Sequence, residues 1–479
     1  MERKIWLQAI TRSKNQLTAT FGIDDLTFNV SYWYGDVDFF ALEAQYGQSY
    51  MDKLYFHIAA FEINKLVSLK AEKIDWGDYS LHHTAQFETL WQKIVHNVWA
   101  QWRYENNLPH YEGPTFTSQP SKSCVQPVEN TCGSVEILAF CGGGKDSLVS
   151  MKLLERAGLP YSSFVYSNSI YGAAQQQHDL SEGLLEQGVQ FKRHFQWVYD
   201  SFADSPVVKL CPEYNVESIV AAETPASIFG VLPIVLQHGY RYIVLAHERS
   251  ANVGNVRWDV TGEDVNHQWG KSFEAECLIN DYLHNELITN VSYFSLLQPI
   301  YDVLIFNLLR SDLTAVPYTH SCNLKKPWCC RCPKCAYVWL NYMAYLPADL
   351  VDSIFDANLF DLEENQLWYY QMLGLGTHTP FECIGQIAET RLAFELCRRK
   401  GLRGKAMDMY AEQFPQLDSD PILEKYLSID FSQSGIPPAI AEAILPQLQE
   451  AATEARFYMR DAVASLGGNH KLHEVRSRN

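Results

Sequence analysis

The stretch Val135-Glu136-Ile137-Leu138-Ala139-Phe140-Cys141-Gly142-Gly143-Gly144-Lys145-Asp146-Ser147 passes from an apolar run to three glycines, a lysine, an aspartate and a serine. The apolar part reads as a strand, and the glycines read as a loop that receives an anion. Without Cβ atoms, successive backbone N–H groups can turn tightly against a phosphate. A helix follows: Leu148, Met151 and Leu154 recur at helical spacing, Val149 and Leu153 widen the stripe, and Gly158 stands where a C-terminal cap belongs. The loop therefore opens a helix, whose unpaired N–H groups and macrodipole both favour phosphate.

Strands and helices alternate outward from this point, through Tyr161–Ser167, helix Ala173–Gln187, Phe191–Tyr199, helix Ala226–Gly239, Tyr240–His247 and helix Lys271–Glu286. Alternation of this kind predicts an α/β fold with a doubly wound parallel sheet, whose ligands sit beyond the strand C-termini. Both Gly142–Ser147 and the run after Ala246 fall at that edge. Upstream, Leu17 to Tyr34 alternates in a strand-like way around Gly22-Ile23-Asp24-Asp25, and helical patterns follow near Tyr50–Leu69 and Ala85–Asn106. These patterns predict an N-terminal α+β domain over residues 1–116. Residues 117–132 are rich in Pro, Ser and Gln and read as a linker to a catalytic domain over 133–347. The pattern from 348 to 479 is mostly helical, and its polar tail from Asn469 is expected to fray.

The spacing of the glycine loop excludes two common phosphate loops. A Walker loop needs four residues between its glycines and then Gly-Lys-Ser/Thr, and the dinucleotide fingerprint needs Gly-x-Gly-x-x-Gly. The run matches Ser-Gly-Gly-x-Asp-Ser instead, and so resembles the PP-loop ATP pyrophosphatases, with Gly142 where most members carry serine. That resemblance implies a PP-loop, HUP-like fold. It also implies cleavage of ATP to AMP and pyrophosphate, with the adenylyl group passed to a carboxylate, amide or carbonyl oxygen. Gly142 removes one hydroxyl donor from this pattern, while Gly143, Gly144, Asp146 and Ser147 keep the rest.

Charge and composition narrow the partners. A net charge of −18 over 479 residues argues against a nucleic-acid surface, which needs a clustered basic face. The short basic groups Lys325-Lys326 and Arg398-Arg399-Lys400 suit a solvated surface or an anionic small molecule. The N-terminal residues lack an apolar core of signal-peptide length, and the longest apolar stretch, around Ile228 to Leu236, contains Pro233. The expectation is a soluble cytoplasmic protein acting on a small molecule, without a membrane partner.

Twelve cysteines in a chain this long do not suggest a disulfide scaffold, and five of them cluster between Cys322 and Cys335. Cys322, Cys329, Cys332 and Cys335 give C-x6-C-x2-C-x2-C, a spacing that converges thiolates on a tetrahedral centre of the kind Zn²⁺ accepts. Lys325, Lys326, Arg331 and Lys334 would offset the thiolate charge. Cys330 is a fifth thiol that competes with Cys329 for the ligand position. A redox dithiol and an iron–sulfur cluster are the other readings of this spacing. A comparable cysteine knot follows the PP-loop domain in 7-cyano-7-deazaguanine synthase.

The strand ending at Ala246 runs into His247-Glu248-Arg249-Ser250-Ala251-Asn252, and then into Asn266-His267-Gln268-Trp269-Gly270-Lys271-Ser272. So many polar and ionisable groups at the ligand edge exceed what a connection needs. Taken with Gly142–Ser147, Trp328-Cys329-Cys330-Arg331-Cys332-Pro333-Lys334-Cys335 and Phe381-Glu382-Cys383-Ile384-Gly385, they resemble the UDP-N-acetylmuramoyl-L-alanyl-L-glutamate epimerase family, MurL. The shared motifs span roughly residues 135 to 390. The resemblance implies ATP-dependent inversion of the terminal L-glutamate of a UDP-sugar dipeptide in peptidoglycan precursor synthesis.

Residue types suggest roles under that resemblance. Gly143, Gly144 and Ser147 would hold ATP phosphates, Lys145 would neutralise charge and Asp146 would orient Mg²⁺. Lys271 and Arg249 are candidates for the α-phosphate or a substrate carboxylate, Arg249 by its fork geometry. His247, His267, Glu248 and Cys383 are candidates for the two proton shuttles, with Glu274 and Glu276 as further acid, base or metal partners. Three rivals stand beside the epimerase: an amide- or nitrile-forming ligase, a tRNA-modifying thiolase or lysidine synthetase, and a non-catalytic ATP-binding module. The acidic balance counts against the tRNA enzymes.

Overall fold

The computed structural model describes residues 2–122, 125–210 and 221–469. The tail expected to fray lies, from His470 on, outside the described residues. Among the described residues, no helix is long and apolar enough to cross a membrane.

Ten strands make one sheet: β1 (Lys4–Arg12), β2 (Gln16–Ile23), β3 (Leu26–Tyr34), β4 (Lys73–Asp75), β5 (Thr115–Phe116), β6 (Ile137–Phe140), β7 (Tyr161–Asn168), β8 (Arg193–Asp200), β9 (Tyr242–Glu248) and β12 (Ser292–Leu297). A separate hairpin joins β10 (Val256–Trp258) to β11 (Glu263–Val265). The sheet order is β12-β9-β6-β7-β8-β3-β2-β1-β4-β5. β6 pairs in parallel with both β7 and β9, and β7 pairs in parallel with β8. From β6 the chain steps one way to β7 and β8, then returns to place β9 on the other side. This reversal is a topological switch point, and the loops after β6 and β9 leave from it.

Sequence explains the contrast between the two halves of the sheet. β7 reads Tyr-Ser-Ser-Phe-Val-Tyr-Ser-Asn and is buried almost continuously, as a parallel strand covered on both faces must be. β1 to β3 alternate buried and exposed residues over much of their length, as in an antiparallel meander with one covered face. The meander is not a separate sheet. β3 pairs antiparallel with β8, from Val30 opposite Asp200 to Tyr34 opposite Gln196.

Contacts divide the chain into two compact units. One comprises Met1–Gly142, Pro160–Leu245 and Gly254–Ser295, and the other Gly143–Leu159, Ala246–Val253 and Leu296–Asn479. The divisions expected at 116, 132 and 347 do not coincide with these. The described residues of 117–132, expected to be a linker, are bonded into the first unit: Thr117 N–H donates to Ile74 O (2.9 Å), Val128 N–H to Leu287 O (2.9 Å), and the buried Asn130 amide to Val235 O (3.1 Å) and Tyr240 O (2.9 Å).

In the first unit, helix Gln48–Ile63 packs on β1 and β2 and on helix Glu223–His238, where Phe61 and Phe229 stack with centroids 4.1 Å apart. Pro233 lies inside that second helix, where it withholds an N–H from the carbonyl of Phe229, four residues back. The neighbouring Gly230 carbonyl accepts from Tyr34 Oη (2.8 Å) and Gln196 Nε2 (3.0 Å). The second unit is helical, built from Lys145–Arg156, Asp302–Leu308, Pro333–Tyr345, Ile387–Arg399 and Pro438–Asn469. Helix Pro333–Tyr345 is buried from Cys335 onward and packs against Ile387–Arg399.

Candidate active site

The glycine loop has the shape its sequence predicts. Gly143 lies at φ +85° and Gly144 is the N-cap of helix Lys145–Arg156, without a side-chain cap. His320 and Ser321 pack on these two glycines. The His320 N–H donates to Gly143 O (2.7 Å), and a Cβ at Gly143 would stand 2.1 Å from His320 Nε2. A Cβ at Gly144 would stand 2.8 Å from Ser321 Oγ. Burial holds the His320 imidazole down at about 4, and it is neutral at ordinary pH.

Lys145 is not spread toward solvent. The residue is 2% exposed, and its ammonium is bonded to Asp146 Oδ1 and Asp302 Oδ1 and lies 4.9 Å from the Phe306 ring centroid. Burial disfavours the charge, but Asp146 and Asp302 outweigh it and hold the amine protonated well above its usual range. Asp302 opens helix Asp302–Leu308 and also accepts from Tyr337 Oη (2.9 Å). Ser147 is buried in the first turn of the loop's helix.

Two more carboxyl groups are buried in this unit. Glu248, the last residue of β9, accepts the Ser250 N–H (2.5 Å), and burial, with Asp302 and Glu389 as anionic neighbours, pushes its pKa well up. Glu389 accepts from Ser250 Oγ (2.7 Å), Gln386 N–H (2.8 Å) and Val303 N–H (3.2 Å), the Gln386 bond belonging to a capping box at the start of Ile387–Arg399. Burial, then Asp302, raises Glu389 to about 7. The loop after β9, the first turn of Asp302–Leu308 and the first turn of Ile387–Arg399 thus surround three buried carboxyls and one lysine. An excess of carboxyl groups over cations in a dry site keeps protons bound near neutral pH, the condition for acid and base catalysis.

Arg249 is held by Asp430 (Nη2 to Oδ2, 2.5 Å) and lies over the Tyr301 ring at 5.2 Å. His247 is half-buried near the end of β9. Cys383 is half-buried; its N–H donates to Glu382 Oε1 (2.8 Å) and its carbonyl accepts from Lys334 Nζ. These residues share the second unit with the loop from Gly143 on. His267 and Lys271 belong to the first unit. There His267 Nδ1 meets Gln101 Oε1 (2.6 Å), and Lys271 ends a short helical turn whose N–H donates to Gln268 O (2.7 Å). Glu274 is taken up by Trp269 Nε1 (2.9 Å) and Lys93 (3.1 Å), and the buried Glu276 accepts Ser295 N–H (2.8 Å).

The four cysteines converge. Sγ of Cys322, Cys329, Cys332 and Cys335 lie within 4.8 Å of one another, with Cys322 to Cys332 and Cys329 to Cys335 both 3.8 Å. Zinc–sulfur bonds of about 2.3 Å in a tetrahedron require sulfur separations of about 3.8 Å, so these residues fit that ion. Backbone N–H groups of Lys325, Arg331 and Cys335 point at Cys322, Cys329 and Cys332 Sγ at 3.4 to 3.5 Å. Cys330, at φ +65°, is not among the four converging thiols.

Asp302, Tyr337, Glu389 and His320 were not legible as site residues. Asp302 had one available signal, a carboxylate opening the helix just after an apolar strand. Glu389 had another, the Gln386-x-x-Glu389 capping box.

Residues 68–187 and 226–296 match the family model described as the MurL N-terminal domain, and residues 318–416 match the MurL C-terminal domain. The chain is similar to the UDP-N-acetyl-alpha-D-muramoyl-L-alanyl-L-glutamate epimerase of Micromonospora sp., at 30% identity over 305 residues, 62% of this chain and 64% of that protein. Its namesake from Salinispora tropica is also 30% identical over 305 residues, covering 62% and 63%. The one from Xanthomonas oryzae pv. oryzae is 26% identical over 380 residues, covering 75% and 78%. The chain thus spans 64% and 63% of the length of the first two relatives. The glycine loop and Glu248 fall within the N-terminal match, and His320, the four cysteines and Glu389 within the C-terminal one.

Proposed function

The chain belongs to the MurL family, and we propose that it inverts the α-carbon of the terminal L-glutamate in UDP-N-acetylmuramoyl-L-alanyl-L-glutamate, using ATP to activate the carboxylate. The match to both MurL domains carries this reading. Family membership speaks for the epimerisation. The ATP step rests on the glycine loop, whose spacing is that of the PP-loop and whose helix N-terminus suits a phosphate.

The chemistry is coherent. A proton on Cα beside an ionised carboxylate is hard to remove, because a second negative charge would arise on the same atoms. Attack of the carboxylate oxygen on the α-phosphorus of ATP expels pyrophosphate and forms an acyl-adenylate, which is neutral at the acyl oxygen and draws electrons from Cα. A base then takes the proton, an acid returns one to the opposite face, and water releases AMP and the D-centre. Gly143, Gly144 and Ser147 would hold the ATP phosphates, and Asp146 would orient Mg²⁺. Among the shuttle candidates Glu248 is favoured, because it is buried, rich in carboxyl neighbours and placed at the switch point with the loop. Cys322, Cys329, Cys332 and Cys335 would hold a structural Zn²⁺.

Incubation with ATP, Mg²⁺ and the UDP-muramoyl dipeptide, followed by assay of AMP and of glutamate chirality, tests the proposal. AMP with D-glutamate is expected. AMP without inversion would sink the epimerase and leave the ligase reading.

A further inference from the structure

The glycine loop carries part of its shape from residues outside it. His320, 3% exposed, lies against Gly143, and Ser321 against Gly144. His320 Nδ1 lies 3.3 Å from the carbonyl of Tyr318, which can only accept. His320 meets the loop by ring contact and by its backbone bond to Gly143 O.

The two residues are clamped between anchors on one buried helix. Upstream, Thr319 Oγ1 bonds Tyr342 Oη (2.8 Å), and downstream Cys322 joins Cys332 and Cys335. Tyr342 and Cys335 both belong to helix Pro333–Tyr345, and Cys332 is its N-cap. The upstream anchor is a hydrogen bond. The downstream one depends on four thiolates, which repel one another unless a cation holds them.

We propose that His320 and Ser321 are positioning residues of the nucleotide phosphate site, and that the metal held by Cys322, Cys329, Cys332 and Cys335 sets the conformation of the Gly143–Gly144 loop through them. This rests on the reading of Gly142–Ser147 as an ATP loop. Displacing outer residues that orient a site changes affinity by about 10- to 100-fold, and a loss of that order is expected when a Cβ at Gly144 pushes Ser321 away from the loop.

Two arms test the coupling in the full-length chain. In the first, amide hydrogen exchange across residues 142–148 is followed before and after removal of Zn²⁺ with 1,10-phenanthroline. Faster exchange in the loop is expected, with β7 unchanged; unchanged loop exchange in the metal-free protein overturns the proposal. In the second, ATP affinity is measured by calorimetry for Gly144→Ala, Ser321→Ala and the double variant, each checked for a native melting curve and a full zinc content. Gly144→Ala brings a Cβ to 2.8 Å from Ser321 Oγ, with no backbone strain, since φ is −88°. Affinity should fall in that single variant and recover in the double one; a double variant no better than Gly144→Ala counts against the proposal. If the unaltered protein binds no ATP, the proposed reaction fails, while loop exchange still decides the coupling.

Discussion

Glu389 accepts three hydrogen bonds and forms no ion pair among the described residues. Its raised pKa of about 7, against 4.5 for a free carboxyl, means that the folded state keeps a proton which the unfolded chain releases between those values. The stabilising contribution is complete below pH 4.5 and is lost as pH rises through about 7. Glu389→Gln should remove this slope, so the melting temperature of the native protein should fall relative to the variant between pH 5 and 8. Parallel curves would place the titration elsewhere. Lys145 poses the opposite case, a buried cation shared by Asp146 and Asp302. Lys145→Met should cost about 3–5 kcal/mol in denaturant titration, because it leaves a buried carboxylate unpaired. Adding Asp302→Asn should recover part of that loss.

At the level of elements, the loop and its helix were the most legible part of the chain. The predicted helix up to Gly158 forms as Lys145–Arg156, with Gly158 at φ +66°. Gly143 and Gly158 both carry positive φ, but only Gly143 has a neighbour where a Cβ would go. Gly158→Ala should therefore cost about 1 kcal/mol of backbone strain and little else. Gly143→Ala should cost more, because the new methyl also meets the His320 ring, and it should weaken ATP binding. Comparable losses for the two variants in urea melts would mean that the ring yields. The helix expected over Ala226–Gly239 forms as Glu223–His238 and runs through Pro233.

At the level of the molecule, the meander β1–β3 and the parallel strands share one sheet through β3 and β8. A fragment comprising residues 133–479 would bare the edge of β8 and the face of Phe229 that Phe61 covers. It should therefore aggregate or unfold without cooperativity, whereas a soluble fragment with a sharp thermal transition would show that the meander is dispensable. The expectation of a separate N-terminal domain rested on the strand and helix patterns before residue 116 and on the Pro, Ser and Gln content of 117–132. Periodicity reports which face of each strand is buried but not which edge meets which.

Residues close in the chain specify their structure through local geometry. Three glycines before a helical stripe define a tight loop opening a helix, and four cysteines at short spacings can reach one ion, because few backbone paths satisfy such spacings. Glu248 was visible for the same reason, as part of a polar run at a strand end. Asp302, Tyr337, Glu389 and His320 belong to the site only because four distant segments pack together there, and an aspartate opening one helix looks like any other until the helix is placed. Burial then alters their chemistry: a carboxyl becomes a proton carrier when the fold removes water and sets other carboxyls beside it.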